Sequence, residues 1–255
     1  MKIEVEPFNP RRELIHFVED CTKGIKPDVT SLCDWHNSYS SNHKFRVAFD
    51  YDLIQQNVIQ NSRLLEFGSI PLILTAALCK SQFEVTGVDI APERYKSSID
   101  RLGITILQCD IESEKLPIES DSYDAALFFE LFEHLRIDIV FTMREVLRIL
   151  KPNGILLLLS PNLKSLGGLN NFLLHNYSYS CCGNLYEEYQ KLEKLGHMGH
   201  VREYTSREVV EFLRNIGFKT EKLIYRGRYY SKTAQIVIRF FPMLRPFITY
   251  IAKKA

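Results

Sequence analysis

Between Ser62 and Ser160 short apolar runs alternate with longer amphipathic ones, the pattern of successive βα units carrying a mostly parallel sheet. The runs predict strands over 63–67 (RLLEF), 83–88 (FEVTGV), 104–108 (ITILQ), 123–129 (YDAALFF) and 155–160 (ILLLLS), with helices in the gaps. The last run is apolar nearly throughout, as suits a strand covered by helices on both faces. From about Ile137 to Ile149 a helix is expected, with Val140, Met143, Val146, Leu147 and Leu150 on its buried side. The turn Lys151-Pro152-Asn153-Gly154 stops it. Thr205 and Glu208 have capping-box spacing, so another helix starts there and ends at Gly217, with a strand near 219–225. The fold class expected is α/β and Rossmann-like, with helices on both faces of the sheet.

Two segments break this rhythm. Residues 1–57 read as a polar, helical N-terminal cap, and residues 161–203, rich in Asn, Tyr, Gly and His, as a long insertion within a main domain over 58–255. Loops of that length are usually functional, so both are expected to wall a substrate site. His36 and His43, with Trp35, Tyr39 and Arg46, either cover that site or pack; Tyr177, Tyr179 and Tyr186 either stack on a ring or pack. The stretch from Ala234 to Ala255 is apolar and carries only basic charge. It reads as two closing strands broken by Pro242 and Pro246, with peripheral contact to an anionic membrane surface as the other reading. No apolar run reaches the length of a membrane span.

Composition narrows the function. With 32 basic and 31 acidic side chains in 255 residues, the chain lacks the electrostatic footprint of a duplex nucleic-acid binder, so a nucleic-acid partner is disfavoured. The six cysteines include no C-x-x-C pair and the N-terminus has no secretory signal, which points to a reducing, cytoplasmic setting. Adjacent Cys181 and Cys182 are given no role.

Sheets of this kind bind ligands at the carboxyl ends of their strands. The first predicted strand ends in Glu66-Phe67-Gly68-Ser69-Ile70-Pro71-Leu72. The second ends in Asp89-Ile90, about 20 residues beyond that turn, where a carboxylate can accept from ribose hydroxyls. The third ends in Cys109-Asp110-Ile111, a carboxylate for an adenine amino group and an apolar side chain for the ring; the fourth ends in Phe128-Phe129-Glu130.

This order resembles the class I S-adenosylmethionine-dependent methyltransferases over roughly residues 60–225. The stretches YDAALFFELFEHL, MREVLRILKPNGILLLLSPN and GHVREYTSREVVEFLRNIGF carry the resemblance most clearly. It implies S-adenosylmethionine as cofactor, with Glu66, Gly68 and Ser69 near its methionine end, Asp89 and Ile90 at the ribose, Asp110 and Ile111 at the adenine, and Phe129 beside them. One departure stands out: Ile70 and Leu72 occupy the second and third glycine positions of the usual first loop, with Pro71 between them. Such residues are not expected to copy the glycine-rich geometry, which disfavours a dinucleotide pyrophosphate more than a phosphate-free cofactor. The loop is similar to a subgroup with Glu-x-Gly-x-x-Pro there.

Glu130-Leu131-Phe132-Glu133-His134 is the candidate for chemistry. On a helix, positions i, i+3 and i+4 share a face, so Glu130, Glu133 and His134 would converge as a metal site, completed by His200 or nearby His197. The pattern is similar to small-RNA 2′-O-methyltransferases and ubiquinone-pathway O-methyltransferases, which implies a divalent metal on adjacent acceptor hydroxyls. Oxygen ligands with one or two imidazoles suit magnesium or manganese, with iron and zinc as the other metals such a set accepts. Alternatively Glu133 favours a helix start and His134 acts alone as general base. The leading expectation is O-methylation of a small-molecule or glycan-type acceptor; RNA 2′-O-methylation and an inactive binding protein of the same fold are the alternatives.

Overall fold

The predicted strand runs form strands because their apolar residues can be buried on both faces. Leu156 to Leu159 and Ala125 to Phe128 are all fully buried. In the computed structural model, which describes residues 1–182, 184–195 and 199–255 (without the side chains of 192–195), the elements run β1 (Lys2–Val5), α1 (Arg12–Thr22), α2 (Cys33–Asn57), β2 (Arg63–Phe67), α3 (Ile73–Cys79), β3 (Glu84–Asp89), α4 (Lys96–Leu102), β4 (Thr105–Gln108) and β5 (Tyr123–Phe129). They continue α5 (Ile139–Ile149), β6 (Leu150–Pro161), α6 (Leu166–His175), α7 (Leu185–Leu195), α8 (Ser206–Ile216), β7 (Phe218–Arg226), α9 (Lys232–Phe240) and β8 (Phe247–Lys254). Among the described residues eight strands form a mixed, mostly parallel sheet, the α/β class expected.

The chain forms two compact units, one of Met1–Phe8, Phe128–Leu147 and Ile155–Ala255, the other of Asn9–Leu127 and Arg148–Gly154. In the second unit β2, β3 and β4 pair in parallel, Glu66 opposite Gly87 and Asp89 opposite Gln108. In the first, β8 lies between β6 and β7 and is antiparallel to both, while β1 pairs in parallel with β7. Buried Arg226 on β7 is ion-paired with Glu6 at 2.7 Å, which anchors the N-terminal strand.

Several expectations need correction. The N-terminal segment is helical in α1 and α2, but it opens with a strand, whose alternation over four residues was too short to read. The C-terminal stretch is not two strands. It is the helix α9 followed by β8, because Pro242 and Pro246 fall between two regular elements rather than within strands. Residues 151–154 do end α5 but belong to β6, with only Asn153, at φ 62°, keeping turn geometry. Val140 is exposed, not buried, while Met143 and Val146 are buried as expected. The insertion holds α6 and α7. The Thr205 capping box is present in both directions and Gly217 closes α8 at φ 119°.

Candidate functional site

The first cluster lies in the second unit. Strand β2 delivers Glu66, which is buried, and the chain then turns at exposed Gly68, whose φ of 67° an L side chain would resist. The Gly68 and Ser69 N–H groups donate to the Val88 carbonyl at 2.8 and 3.3 Å, fastening the loop to the end of β3. At the third glycine position Leu72 adopts φ 68°, the left-handed conformation a glycine would supply freely. Left-handed backbone at this position is thus held by a leucine, against the expectation that such a residue avoids it. Its side chain is fully buried with Ile25, Ala76, Tyr95 and Ile104, and that burial offsets the backbone strain.

Asp89 is committed to the same loop. One carboxylate oxygen accepts from the Ile70 N–H at 3.1 Å and the other from the Ala91 N–H at 3.0 Å. Each oxygen keeps a lone pair for a ligand hydroxyl. Burial raises the Asp89 pKa against these two bonds. Beside it Ile90 is 54% exposed, an apolar side chain left open at a strand end. The Cys109 N–H donates to the Asp89 carbonyl at 3.0 Å, so the β4 exit adjoins the β3 exit. There Asp110 caps its own turn, accepting from the Glu112 N–H and the Ser113 hydroxyl, and Ile111 is half-buried.

Two buried polar atoms in this cluster have no partner: Glu66 Oε2 and Ser69 Oγ. Burial pushes the Glu66 carboxyl up to about 8, with Thr75 hydrogen-bonding the charged form and lowering it in part. An enclosed acid with an unused oxygen suits a ligand that brings a positive charge and its own hydrogen bonds. Gly87 belongs to this cluster and the sequence reading missed it. A Cβ there would stand 2.6 Å from Ser69 Oγ and 2.4 Å from Ile106, so only glycine leaves room for the loop.

The second cluster lies in the first unit, beyond β5. The helix expected from Glu130 onward does not form: a single 3-10 turn spans Phe132–His134, and α5 starts only at Ile139. Glu130, at φ 51°, is outside helical geometry, and its N–H donates to the Leu159 carbonyl at 3.0 Å. Phe129, the last residue of β5, is half-buried. Among the described residues Glu133, His134 and His200 offer ligand atoms within 4.8 Å of one another; Glu130 is outside that set, though its charge acts on Glu133. His197 lies outside the described residues.

Glu133 is completely buried, and neither carboxylate oxygen has a hydrogen-bond partner. Burial and then the Glu130 charge raise its pKa well above the usual range. Its own carbonyl accepts from Val201 and Arg202, which draws His200 alongside. His200 Nε2 lies 4.0 Å from Glu133 Oε1, and the His134 and His200 rings meet edge-on at 5.0 Å. On its other side His200 Nδ1 is 3.0 Å from Glu203 Oε1. Burial works against the His200 imidazolium, but Cys182, Glu203 and Glu133 outweigh it and push the group up to about 11. Cys181 and Cys182 stand beside this ring, a proximity that the sequence did not disclose.

Of the other sequence candidates, His36 is buried and bonded to the Tyr95 hydroxyl at 2.9 Å, a packing residue. Burial brings His43 down to about 4. Tyr179 donates to the Val201 carbonyl at 3.3 Å, whereas Tyr177 and Tyr186 are exposed.

Residues 65–158 match the model of a methyltransferase domain. No curated protein matches the chain in sequence. Among solved structures, a methyltransferase of Thermotoga maritima, a possible histamine N-methyltransferase, superposes with TM-score 0.58 at 16% identity, covering 88% of this chain and 97% of its own. An Archaeoglobus fulgidus S-adenosylmethionine-dependent methyltransferase gives 0.58 at 14% identity, covering 86% and 100%. One from Aquifex aeolicus gives 0.55 at 14%, covering 93% and 98%. Identities this low speak for the fold. Residues 65–158 carry a methyltransferase domain, in a chain with the fold of S-adenosylmethionine-dependent methyltransferases.

Proposed function

We propose that this chain moves the methyl group of S-adenosylmethionine to a hydroxyl oxygen of a small-molecule or glycan-type acceptor. The observation that carries the reading is Glu133, a wholly buried carboxyl with neither oxygen hydrogen-bonded, beside His134 and His200. Burial, and then the Glu130 charge, hold its pKa well above the usual carboxylate range, which suits a group that exchanges protons with a bound hydroxyl through its neighbours. In the transfer the acceptor oxygen forms the new O–C bond, the sulfonium S–C bond breaks, and the hydroxyl proton passes to His134, leaving S-adenosylhomocysteine.

The cofactor would be held by the second unit's cluster. Glu66 and Ser69 have the buried oxygens left for its methionine end, Gly68 the bare backbone, Asp89 and Ile90 the ribose contacts, and Asp110 with Ile111 the adenine contacts. Acceptor recognition falls to residues 161–203 and the N-terminal segment 1–57. In the C-terminal segment, Ile236, Phe240 and Phe241 of α9 and its exit are exposed, and no acidic residue follows Glu221. That combination supports peripheral contact with an anionic phospholipid surface.

A second reading, RNA 2′-O-methylation assisted by a divalent cation, is favoured by the same orphaned carboxylate. Glu133, His134 and His200 would hold the ion, which supplies a lowered hydroxyl pKa. The near-equal charge totals oppose it. Transfer of labelled methyl from S-adenosylmethionine to polyol, phenol and RNA acceptors separates the readings. His134→Ala should lower kcat on the preferred hydroxyl acceptor by about 10²–10⁴-fold. An unchanged rate would remove the acid–base assignment.

A further inference from the structure

The two faces of His200 look onto different chemistry. Nε2 faces Glu133, whereas Nδ1 faces Cys181 and Glu203 of the insertion, with Cys182 in the same group. Cys181 Sγ is 3.8 Å from His200 Nδ1 and 3.2 Å from Glu203 Oε1, and one ligand atom from each of the four residues lies within 4.8 Å of every other. Ligand atoms around one tetrahedral zinc stand roughly 3.3–3.8 Å apart, so a small contraction would close the set.

The surroundings are built to hold these four in place. Glu203 is 2% exposed and accepts from the Ser180 N–H at 2.6 Å, from the Ser180 hydroxyl and from the Cys181 N–H, so it fixes the backbone that carries the thiols. Buried Glu188 accepts from the His200 N–H at 3.0 Å, an approach that only a glycine at position 199 permits. The Glu133 carboxylate, which accepts no hydrogen bond, then has a purpose. A histidine that ligates metal through one nitrogen commonly donates its other N–H to a carboxylate, and Glu133 Oε1 stands 4.0 Å from Nε2.

We infer that Cys181, Cys182, His200 Nδ1 and Glu203 form a thiolate-containing site for zinc or a similar borderline-soft divalent cation, with Glu133 as the outer partner of His200. Two sulfurs select against magnesium and manganese, so this ion differs in class and position from one held by Glu133 and His134. Binding would displace the thiol protons to solvent and tie the insertion at both ends of its second half. The inference goes beyond methyl transfer and does not depend on the acceptor.

The test is a cobalt titration of the full-length, reduced and chelator-stripped protein, followed by zinc competition. The site predicts a thiolate-to-cobalt charge-transfer band in the near ultraviolet that zinc abolishes. Cys181→Ser and Cys182→Ser should each weaken the band, and the double variant should lose more than about a hundredfold in zinc affinity, beyond the cost of losing an outer partner. Glu133→Gln should keep the band. A wild-type spectrum without it overturns the proposal whatever the variants do. So does a band that survives in the double serine variant, or one that vanishes in Glu133→Gln. None of these readouts involves methyl transfer, so failure here is distinguishable from failure of the proposed function.

Discussion

Leu72 shows how a side chain can substitute for a glycine. Holding it at φ 68° costs about 1–3 kcal/mol, while removing a buried leucine side chain costs about 2–5 kcal/mol. The second effect is the larger, so Leu72→Gly should destabilise the chain by about 2 kcal/mol despite relieving the strain, measurable by urea denaturation. Glu66 carries a pH signature. Its folded pKa is raised from an ordinary 4.5 to about 8, so the folded chain holds more protons than the unfolded one in that window. Its contribution to stability is present at low pH and is lost as pH rises from about 4.5 to about 8. Glu66→Gln should therefore raise Tm at pH near 8 in the unliganded chain. The same substitution should flatten the pH dependence of cofactor affinity. In the parent, affinity should rise by up to about tenfold per pH unit towards about 8, where the ligand ammonium also begins to deprotonate. A parent affinity independent of pH would count against Glu66 as the ammonium partner.

At the scale of elements, what was legible was what periodicity and capping determine locally. The five βα strands appear within about one residue of their predicted ends, apart from the early start of β6, and Thr205 with Glu208 makes the capping box that their spacing announced. Thr205→Ala should cost about 1 kcal/mol through loss of that cap, visible as a lower Tm with the fold retained. Elements set by tertiary packing were not legible. Strand β1 is four residues long and depends on β7 and the Glu6–Arg226 pair, and α9 follows an apolar run that suits a strand equally well. The candidate site divides in the same way. Glu66, Gly68, Asp89 and Asp110 were readable because each ends a strand. Gly87 was not, because its need arises from Ser69 and Ile106 across the sheet. Glu133 and His134 were named for a helical face that does not exist, and the 3-10 turn brings them beside His200 instead. Cys181, Cys182 and Glu203 meet only through folding of the insertion, although the spacing His200-x-x-Glu203 was a local hint.

For the molecule as a whole, no helix among the described residues is long and apolar enough to cross a membrane. The surface contact proposed for α9 is a separate matter. The full chain should sediment with vesicles of anionic phospholipid and be released by salt, and replacing Phe240 and Phe241 by serine should abolish this. Equal partition onto neutral vesicles would contradict it. The fold itself accommodates many reactions, so the central claim rests on the ligand at the ends of β2, β3 and β4. Isothermal titration of the chain with S-adenosylhomocysteine, alongside Asp89→Ala, tests that claim most directly. The account predicts saturable one-to-one binding that Asp89→Ala weakens by about tenfold or more, the loss expected when hydrogen bonds to a charged group are removed. Absence of heat at millimolar ligand, or equal binding by the variant, would contradict it.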